Sequence, residues 1–224
     1  MVAVKNVPLT GGNGTFDETV FSLIADDIQQ QGYSIRPGAL PEALTAALVA
    51  HQQTIEREKF TNAGIGRGDE YLKNKFVRTD EICWIAGDTD ASRQWLDWTA
   101  SLQQFLNRRL FLGLFSFESH FAHYGPGDYY KRHYDAFRGG ANRILSVVAY
   151  LNSGWTNTDG GKLVLYKDDA DKEGVKVVPL LGTFVVFLSE EFPHEVLAAH
   201  RDRYSIAGWY RVNTSVATKV DPPL

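Results

Sequence analysis

The stretch from Tyr129 to Asp135 reads YYKRHYD and places His133 and Asp135 two residues apart. In an extended strand, side chains at positions i and i+2 project from the same face, so both can reach one metal ion. A second histidine, His194, follows 61 residues after His133, and Arg203 follows nine residues after His194. Two histidines and one carboxylate, with other coordination positions open, are typical of non-haem Fe(II) oxygenases. The stretch therefore predicts a metal site built on β-strands.

The sequence around this stretch has the pattern of a β-rich fold. From Leu112 onward the apolar residues recur with a period of two, and glycine, asparagine or aspartate turns separate the short runs. Strands that follow a helical first half predict an α+β, mainly β chain: a double-stranded β-helix (jelly roll, cupin-like) buttressed by N-terminal helices. The predicted strands cover residues 114–124, 129–134, 143–151, 162–166, 174–179, 183–188, 194–197 and 203–211.

The first half of the chain contains three helical patterns and one irregular segment. Val20, Ile24 and Ile28 are four residues apart, and Gly32 is placed as a helix stop. The segment 61–80 holds three glycines and seven charges without a clear period, which predicts a long loop or β-finger. The predicted helices cover residues 17–31, 41–59 and 91–110, the last with an apolar stripe of Trp95, Trp98, Leu102, Phe105 and Leu106.

The length of 224 residues suits one domain with extensions. No internal repeat or composition shift marks a second domain, so the whole chain, 1–224, is predicted to be one domain. Its parts are a loose N-terminal lead-in at 1–14, helical support and the finger loop at 15–110, the jelly-roll core at 111–212 and a tail at 213–224.

Composition and charge narrow the function classes. The net charge is −4 and no basic block is present, which argues against a nucleic-acid partner. No run of about 18 apolar residues exists to span a membrane. The single cysteine, Cys83, has no partner for an internal disulfide, and Met1 to Gly14 lacks the apolar run of a signal peptide. We therefore expect a cytoplasmic protein.

The strand that carries Arg203 suggests a second binding element. Arg203, Ser205, Ala207 and Trp209 share one face, and two small residues beside an arginine leave a channel. A guanidinium at the end of that channel can hold a carboxylate by paired hydrogen bonds, which suits a small dicarboxylic acid. Tyr150 either adds a phenolic hydrogen bond or is a core tyrosine, and Tyr124 has the same two interpretations. Trp84, Trp155 and Trp209 are interpreted as packing residues.

Four stretches resemble a known family: YGPGDYYKRHYDAF, RILSVVAYLNSGW, GGKLVLY and FPHEVLAAHRDRYSIAGWY. They are similar to the prolyl 4-hydroxylase family of Fe(II)- and 2-oxoglutarate-dependent dioxygenases, and most similar to the hypoxia-inducible-factor prolyl hydroxylases and their bacterial relatives. FVRTDEICWIAG, at 76–87, also resembles the segment that follows the finger loop of those enzymes. The similarity extends over residues 60–211.

The resemblance implies a role for each site residue. His133, Asp135 and His194 would be the iron ligands, and Arg203 would bind the distal carboxylate of 2-oxoglutarate. Tyr150 would assist Arg203, and Tyr124 would lie beside the iron-bound end of the cosubstrate. The implied reaction consumes O2 and 2-oxoglutarate, releases succinate and CO2, and hydroxylates a prolyl ring at the trans-4 position. Ascorbate would serve as the reductant that restores Fe(II).

The resemblance also implies features outside the metal site. Arg78 and Asp80 match a pair that pins the finger loop, although an ordinary loop salt bridge explains them equally well. Arg143 matches a position near the substrate groove, and a solvated cation is the alternative. For the bacterial relatives, the implied protein substrate carries its target proline in the switch loop of elongation factor Tu.

Several other functions compete with this one. An iron-dependent halogenase would lack the carboxylate ligand, and Asp135 stands against that. A nucleic-acid demethylase of the AlkB type would carry a second arginine six residues after Arg203, where Trp209 stands. A hydroxylase of free proline or another small molecule remains an alternative, as does a non-catalytic, metal-binding cupin-like module. The ligand set alone does not distinguish iron from manganese or zinc, and the keto-acid slot favours iron.

Overall fold

The structure is a computed structural model that describes residues 18–63, 77–136 and 142–213. The predicted lead-in at 1–14, most of the finger loop and all but the first residue of the tail lie outside these ranges. The described helices are α1 (Glu18–Gln31), α2 (Glu42–Thr54) and α3 (Asp90–Leu110), with a short 3-10 helix at Arg57–Lys59. None of them combines the length and apolar character needed to cross a membrane.

Eleven strands are described, and all their pairings are antiparallel. They are β1 (Tyr33–Arg36), β2 (Thr61–Asn62), β3 (Glu81–Trp84), β4 (Leu114–Tyr124), β5 (Tyr130–His133), β6 (Arg143–Tyr150), β7 (Leu163–Leu165), β8 (Val175–Val177), β9 (Phe184–Leu188), β10 (His194–Val196) and β11 (Arg203–Val212).

The strands form two sheets that face each other. The major sheet has the order β1-β9-β6-β11-β4-β3-β2, and the minor sheet has the order β5-β10-β7-β8. Strands β4 to β11 are divided four and four between the sheets, as in a jelly roll, with β7 and β8 forming a hairpin in the minor sheet. β1, β2 and β3 extend the major sheet at its edges. The predicted jelly roll is therefore confirmed.

The three helices cover the outer face of the major sheet. Trp98 of α3 contacts Phe184 of β9 edge to face, with ring centroids 5.0 Å apart, and Phe21 of α1 at 5.4 Å. Trp95, Leu102 and the rest of the predicted α3 stripe are buried, apart from a partly buried Phe105. The helices thus cover the outer face of the major sheet, and the inner face remains available for the site.

The C-terminal end of α1 agrees with the sequence prediction, and that of α2 does not. Helix α1 ends as predicted at Gly32, which has a φ of +80° and donates to the carbonyl of Ile28 at 3.0 Å. The second helix was predicted to reach residue 59, which is wrong. It ends at Thr54, and Ile55 is extended. Ile55 and Phe60 pack against the core, and this tertiary contact outweighs the helical propensity of the charged segment between them.

Three strands were not predicted. β1 and β3 have four residues each, and β2 has two. Residues 61 and 62 begin the segment predicted to be a long loop or β-finger, and their pairing with Ile82 and Glu81 agrees with the β-finger alternative. Such short segments have too few residues to show a period, and their pairing is non-local.

Candidate active site

The minor sheet brings the two predicted histidines together. His133 on β5 and His194 on β10 are direct cross-strand partners, and Asp135 lies just beyond β5. One ligand atom from each of these residues lies within 4.8 Å of the other two. Asp135 Oδ1 is 3.6 Å from His133 Nε2, and Asp135 Oδ2 is 3.6 Å from His194 Nε2. The three side chains can therefore hold one metal ion.

Backbone carbonyls determine which imidazole nitrogen of each histidine faces the predicted metal position. His133 Nδ1 donates to the carbonyl of Lys131 at 2.8 Å, and His194 Nδ1 donates to the carbonyl of Phe192 at 3.1 Å. A carbonyl only accepts, so each Nδ1 carries a proton, and Nε2 is the nitrogen of each ring that can present a lone pair to a metal ion. Burial, together with the nearby His133, lowers the pKa of His194 to about 4, so its imidazole is neutral at physiological pH. Neutral imidazoles with Nε2 exposed are metal ligands.

Two serines, linked by hydrogen bonds, hold the carboxylate of Asp135 in place. Ser146 on β6 donates to Asp135 Oδ2 at 2.6 Å. Ser146 and Ser189 hydroxyl oxygens are 2.9 Å apart, and since Ser146 gives its proton to the carboxylate, Ser189 donates to Ser146. Burial opposes ionisation of Asp135, but His194, His133 and Ser146 together hold its pKa well below the usual range. The group is therefore a charged, oriented ligand.

Arg203 is a buried cation on the inner face of the major sheet. It is 1% exposed, and none of the ion pairs among the described residues includes it. Its Nε donates to the carbonyl of Gly161 at 2.8 Å, and its Nη1 donates to Ser205 Oγ at 3.2 Å. A buried charge without a counter-charge is costly, so the geometry fits an anionic partner supplied from outside the chain.

Two tyrosines flank this guanidinium. Arg203 and Tyr124 are cross-strand partners, as are Ser205 and Tyr150. The guanidinium carbon lies 4.8 Å from the Tyr124 ring centroid and 5.1 Å from that of Tyr150. Burial raises the pKa of Tyr150 to about 12 against the effect of Arg203, so its phenol keeps its proton. Its oxygen is buried without a hydrogen-bond partner in the described part of the chain. The phenol can thus donate to an incoming acceptor.

Gly161 makes room for Arg203. It has a φ of +61°, and a Cβ at this position would lie 2.8 Å from Arg203 Cδ. Any larger residue would therefore push the guanidinium out of its place. GGKLVLY contains a glycine at this position because the backbone must both turn and approach the arginine closely.

A cluster of aromatic and charged side chains lies along the same inner face. Arg143 donates to Glu118 Oε1 at 2.9 Å, and its guanidinium carbon lies 3.7 Å from the Trp209 ring centroid. The solvated-cation interpretation of Arg143 is therefore wrong. His120 is buried between Trp209 and Trp84, at centroid distances of 5.5 and 5.1 Å. Trp84 is 55% exposed, which corrects its interpretation as a packing residue.

The end of the finger segment contacts the metal site. Arg78 donates to both carboxylate oxygens of Asp80, at 2.8 and 2.6 Å, as predicted for this pair. The Arg78 guanidinium also lies 4.3 Å from the centroid of the Tyr130 ring. Tyr130 in turn stacks on the His133 imidazole, with centroids 3.6 Å apart and planes 14° from parallel.

Sequence reasoning missed Ser146, Ser189 and Tyr130. Ser146 interrupts the apolar run from Ile144 to Ala149 in the strand RILSVVAY, and a small polar residue in that run was the available signal. Ser189 and Tyr130 had no comparable signal. Ser189 acts through a contact with Ser146, 43 residues away, and Tyr130 acts by stacking on His133. His120 and His123, which share β4, lie on opposite faces as predicted, since His120 contacts Trp209 and His123 stacks on Tyr204.

The donor set fits the implied groups. Two imidazoles and one carboxylate that converge on one position leave the other coordination positions of a metal ion open, which suits non-haem Fe(II). The buried guanidinium and the phenol of Tyr150, whose proton has no acceptor in the part of the chain that the structure describes, fit a carboxylate-bearing cosubstrate.

Comparisons with known proteins agree with this geometry. The family model of the 2OG-Fe(II) oxygenase superfamily matches residues 119–211. A prolyl-4-hydroxylase from Pseudomonas putida is 39% identical, with a TM-score of 0.75 over 86% of this chain and 98% of that one. A Trichoplax adhaerens prolyl hydroxylase, solved with a hypoxia-inducible-factor oxygen degradation domain peptide fragment, is 27% identical, with a TM-score of 0.72 over 87% of this chain and 90% of that one. The chain belongs to the prolyl 4-hydroxylase family of Fe(II)- and 2-oxoglutarate-dependent dioxygenases.

Proposed function

We propose that this enzyme hydroxylates a prolyl residue of a protein substrate at the trans-4 position, and that elongation factor Tu is that substrate. The observation that carries the chemistry is the combination of the His133, Asp135 and His194 cluster with the buried guanidinium of Arg203, which has no acidic partner among the described residues. A metal-binding cupin-like module has no need for an unpaired buried cation.

Each side chain has a definite task in this proposal. His133, Asp135 and His194 hold Fe(II), and Ser146 keeps the carboxylate in its ligating orientation. Arg203 binds the distal carboxylate of 2-oxoglutarate, the Tyr150 phenol donates to it, and Tyr124 lies along the cosubstrate. When bound, Fe(II) supplies the oxidative chemistry that splits 2-oxoglutarate and oxygenates the substrate, with ascorbate as the reductant that maintains it. The jelly roll keeps these groups between two sheets, away from bulk water.

A macromolecular substrate is favoured over free proline. Trp84 exposes its aromatic surface next to His120, at the edge of the inner face that carries the site. Exposed aromatic side chains are enriched at protein-binding surfaces. The Trichoplax relative was solved with a peptide in place, which supports a polypeptide substrate here as well.

The test uses purified enzyme with Fe(II), 2-oxoglutarate, ascorbate and cognate elongation factor Tu. We expect peptide mass spectrometry to find one added oxygen on a switch-loop proline, and amino-acid analysis after hydrolysis to identify trans-4-hydroxyproline. The modification should disappear in His133→Ala and Arg203→Ala, which serve as controls. Succinate release without modification of the factor would refute the substrate. Hydroxylation of free proline at a comparable rate would favour the small-molecule alternative.

A further inference from the structure

The two histidines of the metal cluster are held in different ways. His194 lies on β10, which has β5 on one side and β7 on the other. His133 lies on β5, an edge strand with only β10 as a neighbour in the minor sheet. The His133 side chain is 16% exposed and that of His194 is 7% exposed. The edge histidine therefore needs support from outside the sheet.

Residues 77–80 take the place of the missing neighbouring strand. Lys131 donates its backbone N–H to the carbonyl of Val77 at 2.8 Å, and Thr79 donates to the carbonyl of Tyr129 at 3.1 Å. An isolated β-bridge joins Arg78 to Tyr130 between these two bonds. The segment thus fixes the backbone of β5 on the side away from β10.

The side chains continue this support up to the imidazole. The Tyr130 and His133 rings are stacked with centroids 3.6 Å apart, and the Arg78 guanidinium lies over the Tyr130 ring at 4.3 Å from its centroid. Two groups this close cannot share one face of the ring, so Arg78 covers the face opposite His133. Arg78 is itself held by both oxygens of Asp80, whose side chain is fully buried. The result is a layered stack of guanidinium, phenol ring and imidazole, anchored at its outer end by a buried carboxylate.

We propose that Tyr130 is a positioning residue for the metal: its ring sets the orientation of the His133 imidazole and so adjusts the metal affinity of the site. The carbonyl of Lys131 restrains the in-plane direction of His133 Nδ1, but a single hydrogen bond leaves the ring free to rotate about it. The parallel face of Tyr130 removes that freedom, and the cation beyond it holds Tyr130 in place. His194 instead has Phe187 against its ring, at 4.7 Å. This inference rests on the proposed assignment of His133 as a metal ligand.

The test measures binding of Co(II) alone, without 2-oxoglutarate or substrate, by titration and by the visible d–d absorption of the bound ion. Removing a group that orients a metal ligand typically costs about 10- to 100-fold in affinity. We expect Tyr130→Leu to bind Co(II) at least about tenfold more weakly and to change the d–d spectrum, whereas Tyr130→Phe, which keeps the ring, stays within about twofold of wild type. Should Tyr130→Leu not fold, Tyr130→Met removes the ring and fills the same space.

Tyr166→Leu is the matched control. Tyr166 also carries an arginine over its ring, with the Arg132 guanidinium at 3.7 Å, but it has no ring contact with either histidine. Native affinity and spectrum in folded Tyr130→Leu, an equal loss in Tyr130→Phe, or an equal loss in Tyr166→Leu would each overturn the inference. Wild-type Co(II) binding by His133→Ala would instead refute the assignment of His133 itself, so the two failures are distinguishable.

Discussion

Ser146 donates its hydroxyl proton to the same oxygen of Asp135, Oδ2, that lies 3.6 Å from His194 Nε2. The other oxygen, Oδ1, lies towards His133. A residue of the major sheet thus orients the carboxylate between two histidines of the minor sheet.

Replacing Ser146 with alanine should loosen that carboxylate. We expect Ser146→Ala to weaken Fe(II) or Co(II) binding about tenfold, because the outer partner of a ligand is lost. The free energy of unfolding should fall by about 1 kcal/mol, since Ser189 then keeps a buried hydroxyl without its acceptor. Ser189→Ala, which leaves the bond to Asp135 intact, is the control. Equal losses of metal affinity in the two variants would contradict this role for Ser146.

Replacing Arg203 with lysine tests the carboxylate slot. Lysine keeps the positive charge but lacks the planar fork, and it cannot reproduce the bonds to Gly161 and Ser205 while it holds a ligand. We expect KM for 2-oxoglutarate to rise about 10- to 150-fold, which corresponds to about 1.5–3 kcal/mol for charged hydrogen bonds. Metal affinity should stay within about twofold. Arg201→Lys, at an exposed position two residues earlier, should leave KM unchanged, and a similar rise there would argue against a specific slot.

Gly161 and Gly154 make a matched pair for testing the close approach of the backbone to Arg203. Both have positive φ, +61° and +60°, but a Cβ at 161 would meet Arg203 Cδ at 2.8 Å, while one at 154 meets nothing within 4 Å. Alanine at either position should cost about 1–2 kcal/mol of folding stability for the left-handed backbone. Only Gly161→Ala should also raise KM for 2-oxoglutarate. Thermal unfolding and steady-state kinetics on both variants check this, and an unchanged KM in Gly161→Ala would refute the contact.

Tyr150 should show opposite effects on stability and on binding. Its hydroxyl is buried without a partner in the described residues, so Tyr150→Phe removes an unsatisfied polar group and should keep or raise the free energy of unfolding of the ligand-free protein. If the phenol donates to 2-oxoglutarate, KM should rise by about 2- to 12-fold, which corresponds to about 0.5–1.5 kcal/mol.

The control for Tyr150 is Tyr210→Phe. The Tyr210 hydroxyl donates to the carbonyl of Thr99 at 2.8 Å in the helix-facing core. Its loss should lower the free energy of unfolding by about 1 kcal/mol and leave KM for 2-oxoglutarate unchanged. Chemical denaturation of both variants, with kinetics alongside, separates the two tyrosines. An unchanged KM in Tyr150→Phe would limit Tyr150 to a core role.

The parts of the site that could be predicted are those that depend on local periodicity. Arg203 and Ser205 are two positions apart on β11, where the alternation of a strand decides that they share a face. Asp135 is two positions after His133 and lies just beyond the end of β5, yet the spacing still predicted that both side chains reach one point. His194 was predicted from its place on a later strand, nine residues before Arg203, and the resemblance implied the same ligand set. Its cross-strand pairing with His133 joins positions 61 residues apart, which no local pattern shows.

The parts that could not be predicted depend on tertiary contacts. Nothing local in the sequence shows that Tyr130 lies against His133 rather than turning away, or that Ser189 reaches Ser146. The end of α2 at Thr54 has the same origin, because the segment after it contains neither glycine nor proline to stop a helix before the core contacts at Ile55 and Phe60. The domain limits, the cytoplasmic location and the site roles stay predictions.

The division of the site between two sheets has a thermodynamic consequence. Two of the three predicted metal ligands, His133 and His194, belong to the minor sheet, whereas Arg203, proposed to bind a carboxylate, and Ser146, which donates to Asp135, belong to the major sheet. A bound ion and cosubstrate would link the minor sheet to the major sheet, because separating the sheets would break both sets of contacts. Occupancy should therefore raise the melting temperature by mass action and slow amide hydrogen exchange in β5 and β11 together. The rate of amide exchange in these two strands would then show whether the two sheets are held together.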